Sequence, residues 1–455
     1  MEISIDITFI GAIIIPLTLT IFILRPIYLL PLLIAVSILH GASVFNGTIA
    51  DFQFGVPPYY YVAIWIAIRY VIMAVSKRQS LLLYEPSIRT IILLLVVLWL
   101  WSILSSFLFP HIFRDLEVYY PRGGLDAQYE QQTPLKWTFS NLAQAIYLTL
   151  NFVMVLYTIS AHKNHSICSI KISIGIAVAI VCIVGIFQII FLYVKLQFPY
   201  WIFNSNIVYY QGYKQYIGSF RRVVSTFTEA SFAGAFLASI ESGFLSVFLQ
   251  GLIREHQKLL LIITIFLIFD LLIRTMATTG YITFVFSAIL LVYCYNPLRK
   301  RQNLKRWIVY IIGAILIIYV VNALNPSFSE YMKPTLVKDT KSDSFVHRTA
   351  SDLHAIKVFL SSYGIGVGLG SNRSSSLIAT LLSTIGIVGS LLFSTIVSFI
   401  LVEMAKIRCQ PSCNFVFWTF LSLLIAQCIA IPDISFPPTW AFLIVAMHLL
   451  CYKLK

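Results

Sequence analysis

Charge is what this sequence has least of. Asp, Glu, Lys and Arg make up 11% of its 455 residues, where a soluble globular chain carries roughly 25%. That shortage excludes a string of soluble domains, although length alone suggests about three. Acidic residues are the scarcest, 18 against 32 Lys and Arg, for a net charge of +14. The seven cysteines (168, 182, 294, 409, 413, 428 and 451) all fall in apolar runs or beside basic stretches. None sits in the long polar segments described below, so no disulfide framework is implied. Cys409 and Cys413 lack a second ligand pair, so a zinc site is not expected. There is no 20–50-residue repeat, and no pair of matched halves of the kind that builds many transporters.

What the chain does have is apolar length: 59% of it is hydrophobic. Runs of about 20 such residues recur from end to end, each long enough to cross a bilayer as a helix. They are continuous rather than alternating, which excludes a barrel. The expected fold is an all-α integral membrane protein, a single polytopic bundle over residues 1–455. Thirteen candidate spans centre on 7–24, 27–44, 58–76, 91–110, 138–161, 172–195, 227–250, 259–275, 278–296, 306–323, 376–402, 413–430 and 436–452. Only Arg25 and Pro26 separate the first two, which could form a hairpin. The first span lacks a basic leader and is read as uncleaved.

Loop charge orients the bundle. The stretch "PLRKRQNLKR" (Pro297 to Arg306) is the strongest cytoplasmic signal. Alternating outward from it places Lys77, Arg78, Arg89, Lys163, Lys171, Arg254, Lys258, Lys406, Arg408, Lys453 and Lys455 on the same side. The acidic N-terminus then lies outside and the C-terminus inside. The positive charge therefore reflects topology, and nucleic acid is not an expected partner.

Three outside segments are long: 111–137, 196–226 and 324–375. Function concentrates on such loops. The first, with Tyr119, Tyr120 and "PRGG", is the least informative. The second is rich in aromatics (Tyr200, Trp201, Tyr209, Tyr210, Tyr213, Tyr216), which suit either sugar stacking or an interfacial belt. It ends with Arg221 and Arg222, and Glu229 follows. Arginine's planar fork suits phosphate, but these two could equally snorkel to lipid headgroups. Glu229 is either functional or a helix N-terminal charge. The third segment places Val346, Ala350, Leu353, Ile356 and Leu360 on one stripe, the pattern of an amphipathic helix on the bundle or the membrane surface. Arg348 and Asp352 are spaced to pair. His347, Ser351 and His354 share another face, and spacing alone does not make either histidine a catalytic base. The helix runs into "YGIGVGLGSNRSSSL" (Tyr363 to Leu377), with glycines at 364, 366, 368 and 370. Glycine tolerates positive φ and close approach. The pattern describes an irregular return loop, lining a wet cavity or packed on neighbouring helices. Arg373 and the serines then sit near a helix start that favours an anion.

Three stretches carry a likeness. "RVVSTFTEASFAGAFL" (Arg222 to Leu237), "RTMATTGYITFVFSAIL" (Arg274 to Leu290) and "GVGLGSNRSSSLIATLLSTIGIVGSLLF" (Gly366 to Phe393) resemble, in order, signature stretches of the O-antigen polymerase and ligase superfamily, over roughly residues 138–430. The resemblance implies a GT-C-like helical glycosyltransferase in the bacterial inner (cytoplasmic) membrane. It also implies inverting, metal-independent chemistry without a cofactor, on a polyprenyl-pyrophosphate-linked oligosaccharide. Membrane lipid is a second partner and a chain-length regulator a candidate third. Ser374 and Ser375, where ligases commonly place a His, and the "FTEAS" form with Glu229 resemble the polymerase branch. Many relatives carry "SRG" where this chain has Thr279–Gly280, so the Arg expected there is missing and Arg274 is the candidate substitute.

On that resemblance Arg222, Glu229 and His354 are the catalytic candidates. Arg221, Arg348, Arg373 and Arg274 are the substrate-binding candidates, with Gly366, Gly368 and Gly370 admitting the pyrophosphate. The expected function is polymerisation of lipid-linked repeat units into surface polysaccharide. The alternatives are O-antigen ligase, and flippase or exporter of the lipid-linked oligosaccharide.

Overall fold

A computed structural model describes residues 3–49, 52–76, 85–119, 132–209, 212, 215–217, 220–251, 253–296, 301–324 and 343–453. Lys77, Arg78, Tyr120, the "PRGG" stretch, Tyr210, Tyr213, residues 297–300 and 325–342, and Lys455, which the sequence reading used, lie outside the described residues.

The chain is a polytopic helical membrane protein. Among the described residues, 9 helices are long and apolar enough to cross a bilayer, and shorter apolar helices accompany them. Strand β1 (Ile3–Ile7) leads into α1 (Phe9–Leu24), whose N-cap Thr8 accepts from the Gly11 amide. A tight turn at Pro26–Tyr28 starts the return through α2 (Leu29–Val36). The chain then pairs β2 (Phe45–Ile49) with β1, Ile3 opposite Ile49, and β3 (Phe52–Val56) with β2. Both ends of this excursion therefore meet in one sheet, which makes it a hairpin.

The reading of 27–44 as a full span is corrected here, because the helix stops at Val36. Residues 37–44 continue as buried irregular chain. Its backbone is satisfied by two other irregular segments: the Gly41 amide donates to Thr226 O (3.2 Å) and the Gly41 carbonyl accepts from the Asn206 amide (3.1 Å). Thr226 Oγ1 donates to Ile38 O at 2.6 Å. Non-helical backbone survives at membrane depth only with such partners.

From there the helices alternate: α3 (Pro58–Ser76), α4 (Pro86–Ile112), α5 (Phe139–Ala161) and α6 (Ile167–Tyr193). A short α7 (Tyr200–Phe203) precedes α8 (Ala230–Gln250), α9 (Glu255–Arg274), α10 (Thr278–Cys294) and α11 (Arg301–Leu324). The last four are α12 (Asp343–Ser361), α13 (Leu377–Ile407), α14 (Pro411–Ala430) and α15 (Pro437–Lys453). This alternation gathers the described parts of the three long segments at the end that carries the β-sheet, called here the strand end. The turns bearing Lys163, Arg254, Lys406 and Arg408 collect at the opposite, basic end.

Helix α8 is the axis of the bundle, packed on α9, α10 and α14 and buried nearly all round, with its one inner acid, Glu241, met by Tyr310 at 3.0 Å. Its small residues allow this. A Cβ on Gly280 of α10 would lie 2.8 Å from the Gly234 backbone, and one on Gly243 would lie 2.2 Å from Thr419 Oγ1 of α14. Small residues at crossings let helices approach where lipid offers no hydrophobic drive.

Helix α13 is not one continuous span. Gly386 sits at φ 65, ψ −168, outside helical space, and breaks it. The groups freed by the break are taken up. Trp101 Nε1 donates to Ile385 O (2.8 Å). The glycine loop docks on the same turn: Val367 N reaches Ser383 O (2.9 Å), Gly368 N reaches Thr384 O (2.8 Å), and Ile387 N reaches Gly364 O (2.9 Å).

Candidate functional site

The segment from Arg222 to Glu229 is shaped by one side chain of α6. Gln188 Oε1 accepts from the amides of Val224 (3.1 Å) and Ser225 (2.9 Å), and its Nε2 donates to Ser225 O (3.0 Å). Ser225 takes a positive φ of 51° to close the turn. Helix α8 starts only at Ala230, so Glu229 is its N-cap rather than a residue two turns in.

Arg222 is fixed at both ends. Its Nε donates to Thr275 O at 2.9 Å, and one terminal nitrogen donates to Gln215 Oε1 at 3.0 Å. Burial weakens the hold of its guanidinium on the proton, the Glu229 carboxylate opposes that, and the Arg348 charge adds to it. Those three side chains therefore share one electrostatic neighbourhood. Arg348 comes from α12, and its guanidinium stands 3.9 Å from Glu229 Oε1, which also accepts from Ser231 Oγ. Two guanidiniums against one carboxylate leave a positive surplus.

Arg348 and Asp352 do not pair with each other as their spacing suggests. The Asp352 carboxylate instead accepts from the amides of Ser375 (2.7 Å) and Ser376 (3.2 Å), at the start of α13. The anion expected at that helix N-terminus is the protein's own. Ser375 Oγ in turn donates to Arg348 O at 3.3 Å, which ties the loop bearing Arg373 to the helix bearing Arg348.

Arg373 is half-buried, and its amide donates to Tyr119 O of strand β4 (Glu117–Tyr119) at 2.9 Å. Its charge acts on Asp433, in the short turn between α14 and α15. Burial pushes the Asp433 carboxyl up to about 6, against the pull of the Ser435 amide and of Arg373. The surroundings are aromatic. Tyr60 donates to Ser435 O (2.5 Å) and stacks on Tyr147 at 4.0 Å, and Tyr209 stacks on His40 at 5.4 Å. Sequence reasoning missed Asp433. The signal was present: "IPDISFPP" puts a carboxylate between two spans, where it is expensive unless partnered.

The remaining candidates stand elsewhere. His354 directs Nε2 to Glu117 O (3.2 Å) and meets the Tyr119 ring edge-on at 4.6 Å. Burial lowers its pKa, which favours the neutral ring. It makes no hydrogen bond or ion pair with Arg222 or Glu229. Arg274 gives its Nε to both carboxylate oxygens of Asp270, at 3.1 and 2.9 Å, so its charge is met on its own helix. Arg221 is held between rings, 4.6 Å from the centroid of Tyr200 and 5.6 Å from that of Tyr216. Of the aromatics read as a belt or as sugar platforms, Tyr200 and Tyr216 serve Arg221, while Trp201 is exposed and edge-on to Phe9.

The glycines all take positive φ: 87° at Gly366, 104° at Gly368 and 85° at Gly370. Protein fills the space in front of them. A Cβ would meet Thr384 O at 2.5 Å, Ser105 O at 2.7 Å and Ser140 O at 2.7 Å respectively. Close packing on α4, α5 and the α13 break is what requires glycine here.

Compared with known protein families and with curated proteins, the chain matches none.

The Asp433 environment makes a stability prediction. Its raised pKa means folding favours the neutral acid, so the ionised form carries a cost of order a few kcal/mol. That cost is absent below the carboxyl's ordinary value of 3.8 and fully present above about 6. Asp433→Asn should therefore raise Tm more at pH 7.5 than at pH 4.5, measured by thermal unfolding of the detergent-solubilised protein. An equal gain at both values would show the carboxyl to be unperturbed.

Proposed function

We propose that this protein lengthens a polyprenyl-pyrophosphate-linked glycan by glycosyl transfer at the outer face of the cytoplasmic membrane. The observation that carries the reading is the 3.9 Å approach of Arg348 to Glu229 at the strand end, with both charges acting on the Arg222 guanidinium. Arg222 and Glu229 share one segment and Arg348 comes from α12, far along the chain, and the three bear a net positive charge suited to a diphosphate. The motif resemblance supplies the reaction class, and the strand end is taken as the outer one from the loop charges.

In this reading the two guanidiniums hold the donor diphosphate and stabilise the charge that grows on it as the sugar departs. Glu229 takes the proton from the acceptor hydroxyl. The acceptor oxygen bonds to the anomeric carbon from the face opposite the leaving group. The bond from that carbon to the phosphate oxygen breaks, and its electron pair leaves with the polyprenyl pyrophosphate. Arg373, with Asp433 behind it, is placed to orient the acceptor carrier. Glu229 is preferred to His354 as base because His354 faces β4.

The test is reconstitution. Purified protein in proteoliposomes, given a lipid-linked repeat unit alone, should release polyprenyl pyrophosphate and form lipid-linked chains of two or more repeats. Transfer only when a lipid A core is added would make the protein a ligase. Translocation of the repeat without any new glycosidic bond would make it a flippase and sink the reading.

A further inference from the structure

Beside the Arg222–Glu229–Arg348 group lies a second basic feature. The strand end of α6, the buried ring of Tyr200 and the Phe220–Val223 stretch enclose a cleft. Arg221, Arg222 and Arg274 all line it, with Gln188 and Tyr193. Asp270 answers one of these three positive charges.

Arg221 is the informative residue. Its guanidinium lies 4.6 Å from the Tyr200 ring and 5.6 Å from the Tyr216 ring, yet its Nε is buried and has no hydrogen-bond partner among the described residues. A buried donor left unmet is destabilising. Building a two-ring holder around an arginine and leaving its donor unanswered is what a site for an external acceptor looks like.

The mouth of the cleft tells what carries that acceptor. Its rim is apolar and open: Leu192 is 40% exposed, Tyr193 51% and Val194 55%. Trp201 and Tyr216 stand exposed at the same level, as ring side chains do at a membrane interface. The α6 face leading to it is bare apolar surface, with Ile183, Phe187 and Ile190 all exposed. Arginines at the back and hydrocarbon at the front fit an amphiphile: an anionic head on a long apolar tail.

We infer that this cleft binds the phosphate of a membrane lipid, with the tail lying along α6. The cleft borders the transfer centre, since Arg222 lines it, but the inference turns on Arg221, which the proposed reaction does not use, and needs only that the chain is membrane-embedded, so its failure leaves that reaction untouched. Two sources share this chemistry, an anionic phospholipid and a phosphate-bearing prenyl lipid.

The test is native mass spectrometry of the full-length protein in detergent, with phosphatidylglycerol, undecaprenyl phosphate and diacylglycerol offered separately. One phosphate lipid should be retained at high collision energy, and diacylglycerol should not. Arg221→Gln should cut retention at least tenfold, and Arg221→Lys should restore it only in part, because an ammonium does not stack on rings as a guanidinium does. Tyr216→Leu, at an exposed position, should weaken retention without risk to the fold. Arg25→Gln, at the basic end, should change nothing. Displacement of phosphatidylglycerol by undecaprenyl phosphate would identify the prenyl lipid as the occupant, and the reverse the phospholipid. Equal retention of diacylglycerol, or undiminished retention by both Arg221→Gln and Tyr216→Leu, overturns the site.

Discussion

Arg222→Ala should lower the rate of glycan transfer by about 10²–10³-fold, the usual cost of removing one donor aimed at developing charge. The reason is its placement. Two of its nitrogens are already committed, to Thr275 O and to Gln215 Oε1, so the guanidinium cannot drift, and its remaining N–H groups are presented in a fixed direction. Arg222→Lys should recover little, because a flexible ammonium can neither brace itself on Thr275 O nor present a planar fork. Gln215→Ala should cost less than either, since Arg222 keeps its bond to Thr275. The measurement is the initial rate in proteoliposomes, with folded protein checked by size-exclusion chromatography. A folded Arg222→Ala protein working at the wild-type rate would remove Arg222 from the site.

Gly368→Val should destabilise the protein severely, by about 3 kcal/mol or more. Two penalties coincide there. The φ of 104° is one that β-branched residues avoid. The added Cβ would also lie 2.7 Å from Ser105 O and 3.0 Å from the Pro110 ring, neither of which can rotate away. Gly175→Ala is the control: on α6 nothing lies within 4 Å of its Cβ, and alanine in a helix should be neutral or stabilising by up to about 1 kcal/mol. Thermal unfolding of both variants, read by intrinsic fluorescence, checks the pair. A wild-type Tm for Gly368→Val would mean the loop does not pack on α4.

Much of the fold was legible because apolar run length and loop charge are local properties. The helices after α2 lie close to where hydropathy puts them, and the three long segments do gather at one end. What stayed hidden depended on partners. Helix α2 stops early because Thr226 and Asn206 supply bonds no hydropathy window contains. The apolar stripe of α12 was read correctly as a stripe but not as a facing. Val346, Leu353, Ile356 and Leu360 are exposed, whereas Ala355 and Val358 are buried. In water an apolar face points to the core; beside a bilayer it has two apolar destinations, and periodicity does not choose between them. The site shows the same limit. Arg222, Glu229 and Arg348 were each singled out from the sequence, but their meeting and the exile of His354 to β4 are tertiary facts. Asp433 was overlooked although its place between two spans is visible in the sequence, because its burial and the reach of the Arg373 charge are tertiary facts.

The anchoring of Asp352 at the start of α13 has a mechanical corollary. Arg348 and Asp352 sit on successive turns of one rigid rod, so the tether that Asp352 makes to the broken helix also sets how far Arg348 stands from Glu229. Clipping that tether would misplace a guanidinium one turn away, and a defect at Asp352 would masquerade as the loss of a residue it never touches.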